Sequence, residues 1–179
     1  MIIDKIIAKV VQYSLSAAIA KDLEPMVERF LAMRVSEGAA MFTVLSGQLN
    51  EIETLVGAAA GLLEARRAEL ATNLRTALAR VMENADGVDE NRLAQELAVL
   101  AVKTDVTEEI DRLNAHIVAA RDLLAKGGPL GRKLDFLSQE FNREANTLCS
   151  KAQSKDLTRI GLDLKTVIDQ MREQVQNVE

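Results

Sequence analysis

The stretch Gly131 to Gln153, GRKLDFLSQEFNREANTLCSKAQ, decides the fold of this chain. Leu134, Leu137, Phe141, Ala145 and Leu148 recur at three- and four-residue steps, one apolar stripe of a helix. Opposite them stand Arg132, Asp135, Gln139, Arg143 and Asn146, with Glu140 and Glu144 on one flank. A solvated helix face is usually Lys and Glu with little else. This face mixes two guanidinium groups, three amides (Gln139, Asn142, Asn146) and three carboxylates. Such a mixture suits hydrogen bonding to a polar ligand, and it equally suits a buried network between helices.

Composition extends the helical reading to the whole chain. The 179 residues include no Trp, only 2 Pro and 9 Gly, and much of the apolar content is Ala. This favours an all-α fold, with long helices packed as an extended helical bundle and no sheet. The length suffices to bury a core without disulfide or metal staples. A net charge of −5 argues against indiscriminate nucleic-acid binding. The charge is polarised, however: residues 127–165 hold seven basic and five acidic side chains, so a local basic groove remains open. The single cysteine, Cys149, cannot form an internal disulfide and suits a reducing cytoplasm, where it reads as a small buried filler. No secretory leader is evident, and the opening MIIDKIIAKVV is too short and too charged to span a bilayer.

Three segments follow along the chain: 1–24, 25–103 and 104–179. Residues 2–21 read as a helix with a wide apolar arc (Ile3, Ile6, Ile7, Val10, Val11), expected to pack in the core or against another copy. Pro25 suits the first turn of a second helix, since a proline there sacrifices no hydrogen bond. That helix, long or broken, runs to about Arg80 as an arm, with Leu45, Leu49, Ile52 and Leu55 at helical spacing. The run Asn84-Ala-Asp-Gly-Val-Asp is a turn, with Asp89 as the cap of a helix that buries Leu93, Leu97 and Leu100.

From Lys103 to Lys126, Val106, Ile110, Leu113, Ile117, Ala120 and Leu124 form a buried stripe. Asp105, Glu109, Arg112 and His116, the only histidine, share the neighbouring edge. Asp105 has a plainer role as a helix cap, with Thr104 as its rival. A histidine beside a core seam is also commonly structural. Gly127-Gly-Pro-Leu-Gly is a connection short enough to make its two helices neighbours, which would bring the His116 edge to the Glu140 edge. Ser154 can cap the final helix, whose apolar face is Leu157, Ile160, Leu164, Ile168, Met171, Val175 and Val178.

The runs GRKLDFLSQEFNREANT, SKAQ and LTRIGLDLKTVIDQMREQVQNVE, together with KTDVTEEIDRLNAHI, GGPLG and MRVSEGAAM, resemble the C-terminal part of the YicC/YloC family. The resemblance covers roughly Leu15 to Glu179. It implies a bacterial, stress-induced endoribonuclease that forms ring-like or clamshell homo-oligomers around RNA, a hexamer among them. Family members carry a further N-terminal lobe outside the matched stretch. Arg34, Glu37 and Gly38 match the family's Arg-x-x-Glu-Gly pattern, while Val35 replaces its usual charged residue. Arg34 and Glu37 are a possible second cluster, or a simple ion pair on one helix face.

Residue chemistry supplies a candidate centre for that activity. Phosphodiester hydrolysis needs oxygen ligands for Mg²⁺ or Mn²⁺, cations that position phosphate, and a proton for the leaving oxygen. Glu109, Glu140 and Glu144 are candidate metal ligands. His116 and Glu140 are candidate catalytic residues, and Arg112, Arg132, Arg143 and Lys151 are candidate RNA contacts. The scarcity of aromatics points to recognition through the RNA backbone. The expected partners are RNA and further copies of the chain, with no membrane and no DNA. Two rival readings stand beside this one: an RNA-clamping and oligomerising module without its own catalytic centre, and a purely structural helical scaffold.

Overall fold

The computed structural model describes residues 2–84 and 90–178 and most of the side chains within them. All regular structure among the described residues is helical, as composition requires. The elements are α1 (Ile2–Asn84), α2 (Glu90–Thr104), α3 (Thr107–Lys126), α4 (Gly131–Lys151) and α5 (Lys155–Val175). The expected turn after Asn84, the cap at Asp89 and the side chains of Leu93, Leu97 and Leu100 lie outside the described residues. No helix among the described residues is long and apolar enough to cross a membrane.

Pro25 lies inside α1, not at the start of a second helix. Ending a helix leaves up to four unpaired backbone groups at each new terminus, and restarting one means paying nucleation again. One missing N–H is the smaller defect, so the helix runs through. The chain divides into two compact units, Met1–Thr43 and Val44–Glu179. In the first, Ile3, Ile6, Ile7, Val10 and Val11 are all exposed, so within this unit the apolar arc is not covered by the described residues.

In the second unit, α1 contributes Leu45, Leu49, Ile52, Val56 and Ala59 to the core, alternating four- and three-residue steps. Val56 and Ala59 continue this seam, and Leu55, expected on it, is only partly buried. Arg121 on α3 ties the same segment down by donating to Asn50 Oδ1 and Glu53 Oε2, both at 2.7 Å. From α3 come Val106, Ile110, Leu113, Ile117 and Ala120; from α4, Leu134, Phe141, Ala145 and Leu148. Leu124 and Leu137 sit at the margin of this core. Ser138 is fully buried on α4, and its hydroxyl is satisfied by donating to the Leu134 carbonyl at 2.8 Å.

The connection from α3 to α4 turns on Gly127 and Gly128, whose φ values of 67° and 85° favour glycine. The Val106 position caps α3, but Asp105 still serves the helix start: its Oδ1 accepts from the Thr107 N–H at 2.9 Å. Ser154 caps α5 as expected, its Oγ accepting from the Leu157 N–H at 3.1 Å. α5 buries Leu157, Ile160, Leu164, Val167, Ile168, Met171 and Val175, and packs closely on α4 where Gly161 meets Cys149. A Cβ at Gly161 would collide with Cys149 Sγ and press on Leu148 Cδ2 at 3.1 Å. Burial pushes the Cys149 thiol pKa upward, which keeps it protonated and favours its role as a packing group.

Gly161→Ala is expected to lower stability by about 1–3 kcal/mol through overpacking. Adding Cys149→Ala should recover part of that loss by vacating the space that Sγ occupies. Chemical denaturation of the two single variants and the double variant checks both statements; additive losses would show that the contact does not limit helix approach.

Candidate functional site

The candidate site lies along the edge shared by α3 and α4. Cross-helix pairs step forward on α3 and backward on α4: Glu109 with Lys151, Arg112 with Glu144, His116 with Glu140. This is the antiparallel arrangement that the short connection demands. The His116 and Glu140 edges therefore do face each other.

His116, Glu140 and Glu144 each place one nitrogen or oxygen within 4.8 Å of the other two. Glu144 is 3% exposed, whereas His116 and Glu140 are half-buried. The imidazole packs edge-on against the Phe141 ring, with centroids 5.6 Å apart and planes at 74°. Its Nε2 is buried and has no hydrogen-bond partner. Arg112 Nη1 donates to Glu144 Oε1 at 3.3 Å, and Nη2 binds Glu108 on the solvent side. The hydrogen bond donated to Glu144 and the charge of Glu108 raise the Arg112 pKa, so the group stays cationic. Arg143 approaches Glu140 at 3.8 Å. Two carboxylates, one imidazole and two guanidinium groups thus converge on one helix seam.

The remaining expected residues fall elsewhere. Glu109, 4% exposed, is held by Lys151, whose Nζ donates to Glu109 Oε1 at 2.8 Å and to the Asp105 carbonyl at 3.1 Å. It is not a member of the His116 group, and its second oxygen, Oε2, is buried without a partner. Arg132 sits two turns of α4 before Glu140, about 12 Å along the helix axis. It lines a separate depression near the α3–α4 connection. Arg34 and Glu37 are exposed on α1 within the Met1–Thr43 unit. Sequence reasoning passed over Gln48, whose buried Oε1 has no partner, although a polar side chain between Leu45 and Leu49 is a visible interruption of that seam. The cross-helix bond from Asn142 to Asp169 at 2.9 Å joins α4 to α5 and explains one amide of the mixed α4 face.

The family model described as "Endoribonuclease YicC-like, C-terminal" matches residues 60–179. The chain belongs to the YicC-like family. It is 37% identical over 170 residues to a protein of Haemophilus influenzae named probable endoribonuclease YicC, covering 90% of this chain and 57% of that one. A Clostridioides difficile protein of the same name is 39% identical over 130 residues, covering 73% of this chain and 43% of its own length. The chain therefore spans about half the length of these curated YicC relatives. The match to the YicC-like model includes all of α3, α4 and α5, and with them the His116, Glu140 and Glu144 group.

Replacing Lys151 by Met would strand the Glu109 carboxylate in the seam and is expected to cost about 1–3 kcal/mol. The Lys151→Met, Glu109→Gln pair should cost less than the sum of its members in a denaturation cycle. Pairing with Glu109 raises the Lys151 pKa above its ordinary 10.5. With Glu109 ionised, the bridge's contribution is thus complete below that value and is lost as pH rises through the higher, folded-state pKa. On the alkaline limb, the stability difference between the native chain and Lys151→Met should begin to shrink only above 10.5.

Proposed function

We propose that this chain is an RNA-cleaving module with its centre at His116, Glu140 and Glu144. The observation that carries this reading is the convergence of an imidazole bearing an unpartnered buried nitrogen with two carboxylates, one of them almost wholly buried. The names of the curated relatives supply the reaction class, endoribonucleolytic cleavage.

These residues fit a divalent cation. The buried His116 Nε2 lacks a partner among the described residues, and two carboxylates beside it form a mixed nitrogen–oxygen donor set. Such a set favours Mn²⁺ over Mg²⁺, which prefers oxygen and retained water. When bound, the ion would lower the pKa of the attacking water and offset charge developing on the phosphate. Glu144 is oriented by Arg112, and the ring of His116 by Phe141. Arg112 and Arg143 flank the carboxylates with guanidinium groups that can turn toward a phosphate and bind it with forked geometry. The Glu140 side chain is 26% exposed against 3% for Glu144, a position from which a carboxylate can exchange a proton with substrate or water. We further propose self-association through the exposed arc Ile3, Ile6, Ile7, Val10 and Val11, an apolar surface of the kind that marks protein contacts.

A second reading is favoured by one fact: the relatives are about twice as long as the matched region. Under it, the cutting residues belong to the rest of the relatives' length, and this module clamps RNA. Cleavage of a single-stranded RNA in Mn²⁺ separates the two readings. Glu140→Gln and His116→Ala should each lower turnover by about 100-fold or more, and His116→Ala should weaken Mn²⁺ binding measured by calorimetry without RNA. Unchanged cleavage in both variants would remove the centre. Tight RNA binding with a steep salt dependence and no cleavage by the native chain would establish the clamp.

A further inference from the structure

We propose that the depression beside the α3–α4 connection is a nucleotide subsite, in which Phe136 stacks a base and Lys126, Arg132 and Lys133 hold the adjoining phosphates. This inference rests on the reading of His116, Glu140 and Glu144 as the cleavage centre, whose substrate strand it extends. The depression has a volume of about 600 Å³, and its apolar lining includes Ala119, Leu123 and Leu137. That is within the range for a small-molecule site and large enough for a nucleobase.

Four observations point to this occupant. Phe136 leaves 61% of its surface exposed in a chain with only four Phe, one Tyr and no Trp. An exposed ring on a helix otherwise sorted into apolar and polar faces contributes little to this fold, yet it offers a stacking platform that any base can use. Lys126, Arg132 and Lys133 outnumber Asp122 three to one among the lining residues, and none of the three makes an ion pair with the described residues. Arg132 and Lys133 also occupy the first turn of α4, which holds no acidic residue and no side-chain cap. Cations oppose the helix dipole there, so the local rule is broken in the direction that serves an anion.

Position supplies the last observation. Phe136 lies one turn of α4 from Glu140, about 6 Å along the axis, and Arg132 lies one turn further. On α3, Ala119, Leu123 and Lys126 follow His116 on the same side of the helix. Both helices thus lead from the proposed centre straight into the depression. A strand whose scissile phosphate lies at Glu140 would place a neighbouring base over Phe136 and the next phosphates between the lysines and Arg132. The ring would then bind sequence-tolerantly through its face, while the cations follow the backbone.

The absence of Trp makes a direct test possible. Phe136→Trp would carry the chain's sole tryptophan, and its fluorescence should be quenched by a short 2′-O-methyl oligoadenylate without divalent ion, but not by an abasic strand of equal length. Phe136→Ala should weaken the oligoadenylate about tenfold and leave the abasic strand unchanged. The Arg132→Ala, Lys133→Ala double variant should weaken both strands and flatten their salt dependence. Far-ultraviolet circular dichroism melts should match the native chain, because all three side chains are exposed. No quench in Phe136→Trp, or equal effects of Phe136→Ala on both strands, overturns the subsite. So does a change in sedimentation of Phe136→Ala with unaltered RNA affinity, which would assign the ring to a protein contact. A quench that persists while Glu140→Gln still cleaves would overturn the assigned centre and leave the base contact standing.

Discussion

Two carboxylates sunk into the seam between α3 and α4 constrain the rest of this unit. Glu109 and Glu144 are 4% and 3% exposed, and a buried carboxylate without a cation costs several kcal/mol. Lys151 answers Glu109, and Arg112 answers Glu144. These pairs are made across two antiparallel helices, so together they hold one register. Once that register is set, the next turn of α3 brings His116 to Glu140. The ion pairs are therefore structural in their energetics and positional in their consequence. They leave Glu109 Oε2 and His116 Nε2 buried and unpartnered, which an interior tolerates poorly and a ligand site exploits.

α4 can act as a platform because it is held from two sides. α3 supplies the ion pairs, while α5 packs on the other face through the close approach of Gly161 to Cys149. Asn142 to Asp169 and Arg172 near Asp135, at 3.7 Å, add polar ties along the same α4–α5 interface. The Leu45–Ala59 seam of α1 completes the core, and Arg121 anchors it. Side chains that must converge within a few ångströms are more accurately held on packed helices than on loops. Here every member of the candidate centre is on such an element.

Helical periodicity also arranges function along α4. Lys151, Glu144, Glu140, Phe136 and Arg132 follow one another along α4 at intervals of one or two turns. The first two have partners on α3, and Glu140 faces His116. Phe136 and Arg132 open to solvent by the connection, where the helices have run out of matching residues. The helix thus passes from structural ion pairs through the candidate His116, Glu140 and Glu144 cluster to an exposed cationic surface. This ordering is consistent with the path proposed above for an RNA strand.

Sequence alone determined the helical class and most of the core, because apolar spacing and helix caps depend on residues a few positions apart. Leu134, Phe141, Ala145 and Leu148 are buried as their spacing indicated, and Ser154 caps α5. The residue types of the site were also legible, since His116 and Glu109 share an α3 edge and Glu140 and Glu144 share a flank of α4. Local preference misled at Pro25, where continuity of a long helix outweighed one missing hydrogen bond. Only the tertiary structure decided which edges meet. It turned Glu109 to Lys151, brought His116 to Glu140 and Glu144, and left Phe136 in the open. The pairings across this seam join residues as many as 46 positions apart. They are chosen by burial and charge neutralisation across the α3–α4 seam, and neither is visible in the spacing of a single helix.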